Sequence, residues 1–220
     1  MKKIIALVIA SIMLVSVLAL VSCRNKDNPN ESTNGTTTEA TTTTTTTEAT
    51  TTTEKTETPV TPTYASALDL YNKIWGTYTD DEKFPVAGGD MEHTSMEGPG
   101  LFDIEKNKES LKTYIHITDE LLATVNNEAA NLIHMMNTNT FSSAILSLKD
   151  ASTAEAFAED YKKSVQATRW MCGFPDTVIV VSVENYVIVA FGHDDIINTF
   201  KAKCLEISGA KLLVEAPAMA

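Results

Sequence analysis

Cys23 follows Leu20-Val21-Ser22 at the end of an apolar run that opens with Met1-Lys2-Lys3. A thiol placed after a small residue at the exit of such a run is set up for thioether lipidation and for cleavage of the peptide bond before it. Lys2 and Lys3, the run Ile4 to Leu20 and Ser22 follow the order of a bacterial lipoprotein signal over residues 1–22, which makes Cys23 the first mature residue and the lipid attachment site. Two acyl chains there anchor a protein stably, whereas one holds it only reversibly. The rival is an uncleaved transmembrane helix, since Ile4 to Val21 approaches spanning length; the N-terminal position and the exit cysteine favour the lipid.

Elsewhere the chemistry-bearing residues are sparse. Imidazole and thioether together suit copper, so Met91-Glu92-His93 with Met96, and His134-Met135-Met136, offer His93, Met96, His134 and Met136 as weak ligand candidates. The competing reading is that methionines fill irregular core gaps, and no histidine pair shows the i, i+4 spacing of a zinc-type site. Asp90, Glu92 and Glu97 could serve acid/base work, but carboxylates abound in this chain. There is no Gly-x-Ser-x-Gly, no His-Glu-x-x-His and no phosphate loop around Gly88-Gly89. No catalytic residue and no cofactor is assigned, and the chain reads as a binder rather than an enzyme.

The candidate ligand site is the turn-rich stretch 79–103. It brings Gly88, Gly89, Asp90, Glu92 and His93 near Trp75 and Phe84, a mixture of polar and aromatic groups suited to a cleft. Its competing role is to cap the sheet with Phe84, Val86, Leu101 and Phe102.

Composition sets the surroundings. From Thr33 to Thr63 there are 19 threonines in 31 residues, too little apolar area to offset the entropy of ordering, so 23–63 reads as a disordered, Thr-rich spacer behind the lipidated cysteine. Stretched out, residues 24–63 reach roughly 130 Å; as a coil they span nearer ~35 Å. Such a tract is also a candidate for O-glycosylation. Residues 64–220 carry 12 Lys/Arg against 23 Asp/Glu, and no basic cluster exists to neutralise phosphates, which argues against nucleic acid. The expected partners are the membrane, through the lipid, and a small-molecule or protein ligand. The expected location is the outer face of the cell membrane, with the spacer reaching into or through the cell wall.

About 157 residues then form one domain, 64–220. Leu68, Tyr71, Ile74, Trp75 and Tyr78 predict a helix over 65–78, and two short helices follow over 106–115 and 119–125, the second capped by Thr118. A hairpin over 129–149 turns at Asn137-Thr138-Asn139, against a rival helix through Ala129, Ile133 and Met136. Ser152 and Glu155 read as a capping box opening a helix to Met171, with Gly173 as its left-handed cap. Strands 177–183 and 186–191 join at Glu184-Asn185, with Asn185 suited to positive φ. Their unbroken apolar runs mean both faces of the sheet are covered, one of them by the helices 152–171 and 194–207. The prediction is an α+β fold around a mostly antiparallel four-stranded sheet in the order α-α-α-β-β-α-β-β-α. Cys204 continues the stripe Ile196, Ile197, Phe200, which favours two free thiols over a Cys172–Cys204 bridge.

Phe84-Pro85-Val86-Ala87-Gly88-Gly89-Asp90, the stretch Leu132 to Phe141, Arg169-Trp170-Met171-Cys172-Gly173-Phe174-Pro175 and Tyr186 to Gly192 resemble segments of small lipoproteins of clostridia-like Gram-positive bacteria. The resemblance spans most of 64–207. It implies surface anchoring in a Gram-positive setting and, because that family has no assigned activity, carries over no site residue.

Overall fold

The computed structural model describes residues 63–220, so Cys23, the apolar run and the spacer up to residue 62 lie outside the described residues. Ser66, in extended backbone, accepts from Asp69 N at 3.0 Å and starts α1 (Ala67–Trp75), whose Leu70, Tyr71 and Ile74 face the core. Strands β1 (Val86–Ala87) and β2 (Gly100–Asp103) precede α2 (Ile104–Tyr114) and α3 (Asp119–Leu122). Then come β3 (Val125–His134), β4 (Phe141–Leu148), a 3-10 turn (Ala151–Thr153), α4 (Ala154–Gln166), β5 (Thr177–Val183), β6 (Tyr186–Gly192), α5 (Asp194–Leu205) and β7 (Lys211–Pro217).

The α+β class and the antiparallel sheet are as expected, but the sheet has seven strands rather than four. Its order is β1-β3-β4-β6-β5-β7, with β2 also pairing β3, and every pairing is antiparallel. The additional strands are β1, β2 and β7. The first two arise inside the stretch read as irregular, because β3 is long enough for β1 and β2 to share its free edge. β7 continues the sheet beyond β5.

The helices at 152–171 and 194–207 do not share a face. Tyr161 and Val165 of α4 pack with α2 and α3 on one side, whereas Ile197, Phe200 and Cys204 of α5 pack with α1 on the other. Topology requires this. The β4-α4-β5 and β6-α5-β7 crossovers both advance toward the β7 edge but start from antiparallel strands, so with a common handedness their helices fall on opposite faces.

Local readings divide. Thr118 does cap α3, accepting from Leu121 N at 3.3 Å, although that helix stops at Leu122. The 129–149 hairpin forms and the rival helix does not. The Ser152 capping box is absent: Asp150 accepts from Ser152 N at 2.9 Å and opens the 3-10 turn instead. Because α4 ends at Gln166, neither Cys172 nor Gly173 lies at its C-terminus; Gly173 has a left-handed φ of 67° in the loop beyond, against Asn137. At the β5–β6 turn Glu184 takes the positive φ (52°), while Asn185 Nδ2 donates to Ser147 Oγ at 3.0 Å. Both Cys172, exposed, and Cys204, buried, are free. No helix among the described residues is long and apolar enough to cross a membrane.

Candidate functional site

The 88–103 stretch is built around one carboxylate. Gly88 and Ser95 exchange two backbone hydrogen bonds at 2.8 Å, and Asp90 N donates to Leu101 O at 3.2 Å, which folds Gly89 to His93 back over β2. Gly89 holds φ at 84°, a left-handed value that glycine adopts freely. A Cβ on Gly88 would collide with the backbones of Gly98, Gly100 and Asn131, so close approach of three chain segments requires glycine there.

The Asp90 side chain is 2% exposed. Its Oδ1 accepts from Glu92 N (3.0 Å), His93 N (2.9 Å) and His93 Nδ1 (2.8 Å), and Oδ2 from Asp103 N (3.0 Å) and Asn107 Nδ2 (3.2 Å). Burial pushes the carboxyl upward, but the backbone of Asp103, the His93 ring and the backbones of His93 and Glu92 together hold it below the ordinary aspartate value. Asp90 is therefore a saturated anchor, with no lone pair left for a ligand. Asn107 departs from helical geometry (φ −126°, ψ 21°) inside α2, where its amide also donates to Asp103 O at 3.1 Å.

The expected site residues separate into three places. Gly88, Gly89 and Asp90 line a cleft of about 360 Å³ between the 87–94 turn, β3 and α2, walled by Met91, Phe102, Ile133 and Tyr114. Glu92 and His93 line an adjoining, more open hollow of similar volume with Asp103 and Asn127, where Lys106 Nζ reaches Glu92 Oε2 at 3.0 Å. Trp75 lines neither but a third hollow, of about 300 Å³, with Phe84, Met96 and Glu97. It is a core residue whose Nε1 donates to Glu97 O at 3.1 Å and whose ring meets Phe84 edge-on at 5.7 Å, fastening the 96–98 segment to α1.

The copper-type candidates are likewise divided. His93 is engaged with Asp90, and Met96 flanks Trp75. The His134 ring stacks on Phe84 at 5.8 Å, its Nδ1 accepting from Met136 N at 3.2 Å. Burial, and secondarily the charge of His193, lower the His134 pKa. Among the described residues no three His, Cys, Asp or Glu side chains group to hold a metal ion.

What sequence reasoning missed is Asn131. In the centre of β3, 6% exposed, it accepts from Gly89 N through Oδ1 at 2.5 Å, while its Nδ2 donates to nothing among the described residues and reaches the 360 Å³ cleft. Asn107 Oδ1, Ser110 Oγ and Tyr114 Oη in the same lining are also without hydrogen bonds there. The signal was one amide inside Ala129-Ala130-Asn131-Leu132-Ile133: a buried polar group needs a reason.

A larger groove, about 600 Å³ between α3 and α4, has the opposite character. Thr118 accepts from Leu121 N, and Thr124, Thr153 and Ser164 donate to Leu121 O, Asp150 O and His116 O, while Lys163 pairs with Asp160. Its hydroxyls are already spent on the fold. The 360 Å³ cleft, not the larger one, has polar groups waiting. Comparison of the chain with family models, curated proteins and solved structures returns no match.

Proposed function

We propose that this protein is a lipid-anchored extracytoplasmic binding module that takes a small ligand into the cleft between the 87–94 turn, β3 and α2. The observation that carries the reading is the Asn131 side chain in the cleft lining: in a residue only 6% exposed, its Oδ1 is taken by Gly89 N while its Nδ2 has no partner among the described residues and is reached by solvent, so an acceptor on a ligand would take the place of water there. The cleft volume, about 360 Å³, lies in the range of small-molecule sites. Anchoring rests on Leu20-Val21-Ser22-Cys23, and the threonine-rich spacer provides reach from the membrane. In a Gram-positive cell that surface is the outer face of the membrane, the setting the lipoprotein resemblance implies.

Two measurements test it. Cys23→Ser should move the protein from the membrane to the soluble fraction or leave it unprocessed; membrane retention with an unchanged mature N-terminus refutes the anchor. Ser110→Trp, which fills the cleft from α2, should abolish ligand-induced thermal stabilisation while the fold is kept.

A second reading, capture of reduced copper, is favoured by a separate observation. Met136 and Met171 are 82% and 86% exposed, and their segments touch where Asn139 Nδ2 donates to Cys172 O at 2.7 Å, beside exposed, free Cys172. Exposed thioethers with a thiol are soft donors. Titration with Cu(I) against a chromogenic chelator should give one site lost in Cys172→Ser; no competition refutes it.

A further inference from the structure

We infer that the cleft selects an uncharged ligand bearing a carboxamide-like group, an acceptor for Asn131 Nδ2 together with a donor for Asn107 Oδ1, on a small apolar body. The inference rests on the cleft being the binding site.

The orientation of both amides is determined by their neighbours rather than assumed. Gly89 N can only donate, so the Asn131 atom facing it at 2.5 Å is Oδ1, and the free atom in the cleft is the NH2 group. For Asn107 the logic reverses. One side of its amide lies 3.2 Å from Asp90 Oδ2 and 3.1 Å from Asp103 O, both acceptors, so that side is Nδ2 and the free atom is Oδ1. The cleft thus offers one fixed donor and one fixed acceptor. Neither amide can flip without setting donor against donor or acceptor against acceptor.

Charge is excluded by the same bonds. Asp90 is the sole carboxylate of the lining, and its two oxygens already accept five donors, so an ammonium or guanidinium finds no free counter-charge. No lysine, arginine or histidine lines the cleft, so a carboxylate or phosphate finds none either; Lys106, on the adjoining surface, is held by Glu92. An ion brought against this lining gives up part of its hydration and finds no free counter-charge in return. Phe102, Ile133, Met91 and Ala87 supply apolar wall for an uncharged body, and about 360 Å³ holds roughly a dozen water-sized volumes. Hydroxyls at Ser110 and Tyr114 can serve either role.

Benzamide, benzoate and benzamidinium share one shape and differ in charge, which makes them the probes. Each is titrated into the isotope-labelled chain 24–220, following backbone amides of Gly88, Gly89 and Ser110 and the side-chain NH2 signal of Asn131. Benzamide is expected to move all of them, including the Asn131 NH2, with a Kd at least tenfold below those of the two ions. Asn131→Asp, which keeps the acceptor for Gly89 N and replaces the donor by an oxygen, should weaken benzamide at least tenfold and improve benzamidinium. Equal or tighter binding of either ion at these residues overturns the inference while leaving the cleft a binding site. So does benzamide binding that moves the backbone signals but not the Asn131 NH2, a readout that needs no variant to fold. If none of the three probes moves the cleft signals, the cleft itself is not the site and both readings fall.

Discussion

Removing the Asp90 carboxylate should unfasten the whole 88–107 region. The side chain is 2% exposed and satisfies five donors from Glu92, His93, Asp103 and Asn107. In Asp90→Ala, the backbone N–H groups of Glu92 and His93 sit on an exposed turn and can be rehydrated. Asp103 N loses its acceptor, at about 1–3 kcal/mol for a buried donor left alone, whereas Asn107 Nδ2 keeps its bond to Asp103 O. Lost charge-assisted bonds at the other donors add to this, so the expected loss is about 2–5 kcal/mol, a large share of ordinary domain stability. Asp90→Asn keeps one acceptor but turns an NH2 toward one of the two donor sets, and about 2–4 kcal/mol is expected. The exposed Glu92–Lys106 pair provides the control: Glu92→Ala should cost under about 1 kcal/mol. Urea unfolding of 24–220 at pH 7 measures all three. Acid provides a second axis. Because hydrogen bonds depress the folded-state Asp90 pKa despite burial, its contribution is fully present above the unfolded value near pH 4 and disappears as pH falls through the lower folded value. Wild type should therefore lose stability below about pH 4 faster than Asp90→Asn does, and the two should converge. A cost under about 1 kcal/mol for Asp90→Ala, or parallel acid profiles, would refute the anchor role.

Gly89→Ala should destabilise by about 2 kcal/mol or more, from the left-handed backbone penalty and the meeting of its Cβ with the His93 carbonyl; denaturant midpoints decide this, and a neutral result sinks the strain argument. In 24–220, thiol labelling at pH 8 should modify Cys172 quickly and Cys204 only on unfolding, since Cys204 is fully buried and its thiol is pushed far upward by burial; two fast thiols would contradict the core placement. Tyr71 Oη and Ser143 Oγ are buried without a formed hydrogen bond, so Tyr71→Phe with Ser143→Ala should be neutral or stabilising by thermal melting, where a loss above about 2 kcal/mol would reveal an unseen partner.

Periodicity and capping were legible wherever the forces are local. Thr118, the 71-74-75 stripe and the paired strands at 177–192 act through neighbours a few residues away, and each formed as read. Doubly apolar strands also announced a sheet covered on both faces. The misassigned features have two origins. Asp150 displaced Ser152 as the turn former in a competition two residues apart, and α4 stopped short of the Gly173 expected to cap it; β1 and β2, too short and glycine-flanked to read as strands, exist only through their distant partner β3.

For the site, the residues singled out by composition fold into separate surroundings: Gly88, Gly89 and Asp90 line the cleft, Glu92 and His93 an adjoining hollow, and Trp75 packs against Phe84. The amino-acid sequence by itself determined helical and strand periodicity, the acidic balance, the threonine-rich tract and the Leu20-to-Cys23 signal pattern, all properties of residue type and short spacing. Only the tertiary structure decided that Asp90 is an anchor, that Trp75 is core and that the Asn131 amide faces a cleft. Hydrogen-bond saturation is a property of atoms brought together from 89–93, 103–107 and 131, and whether a polar group is spent or free is settled by the segments that fold against it.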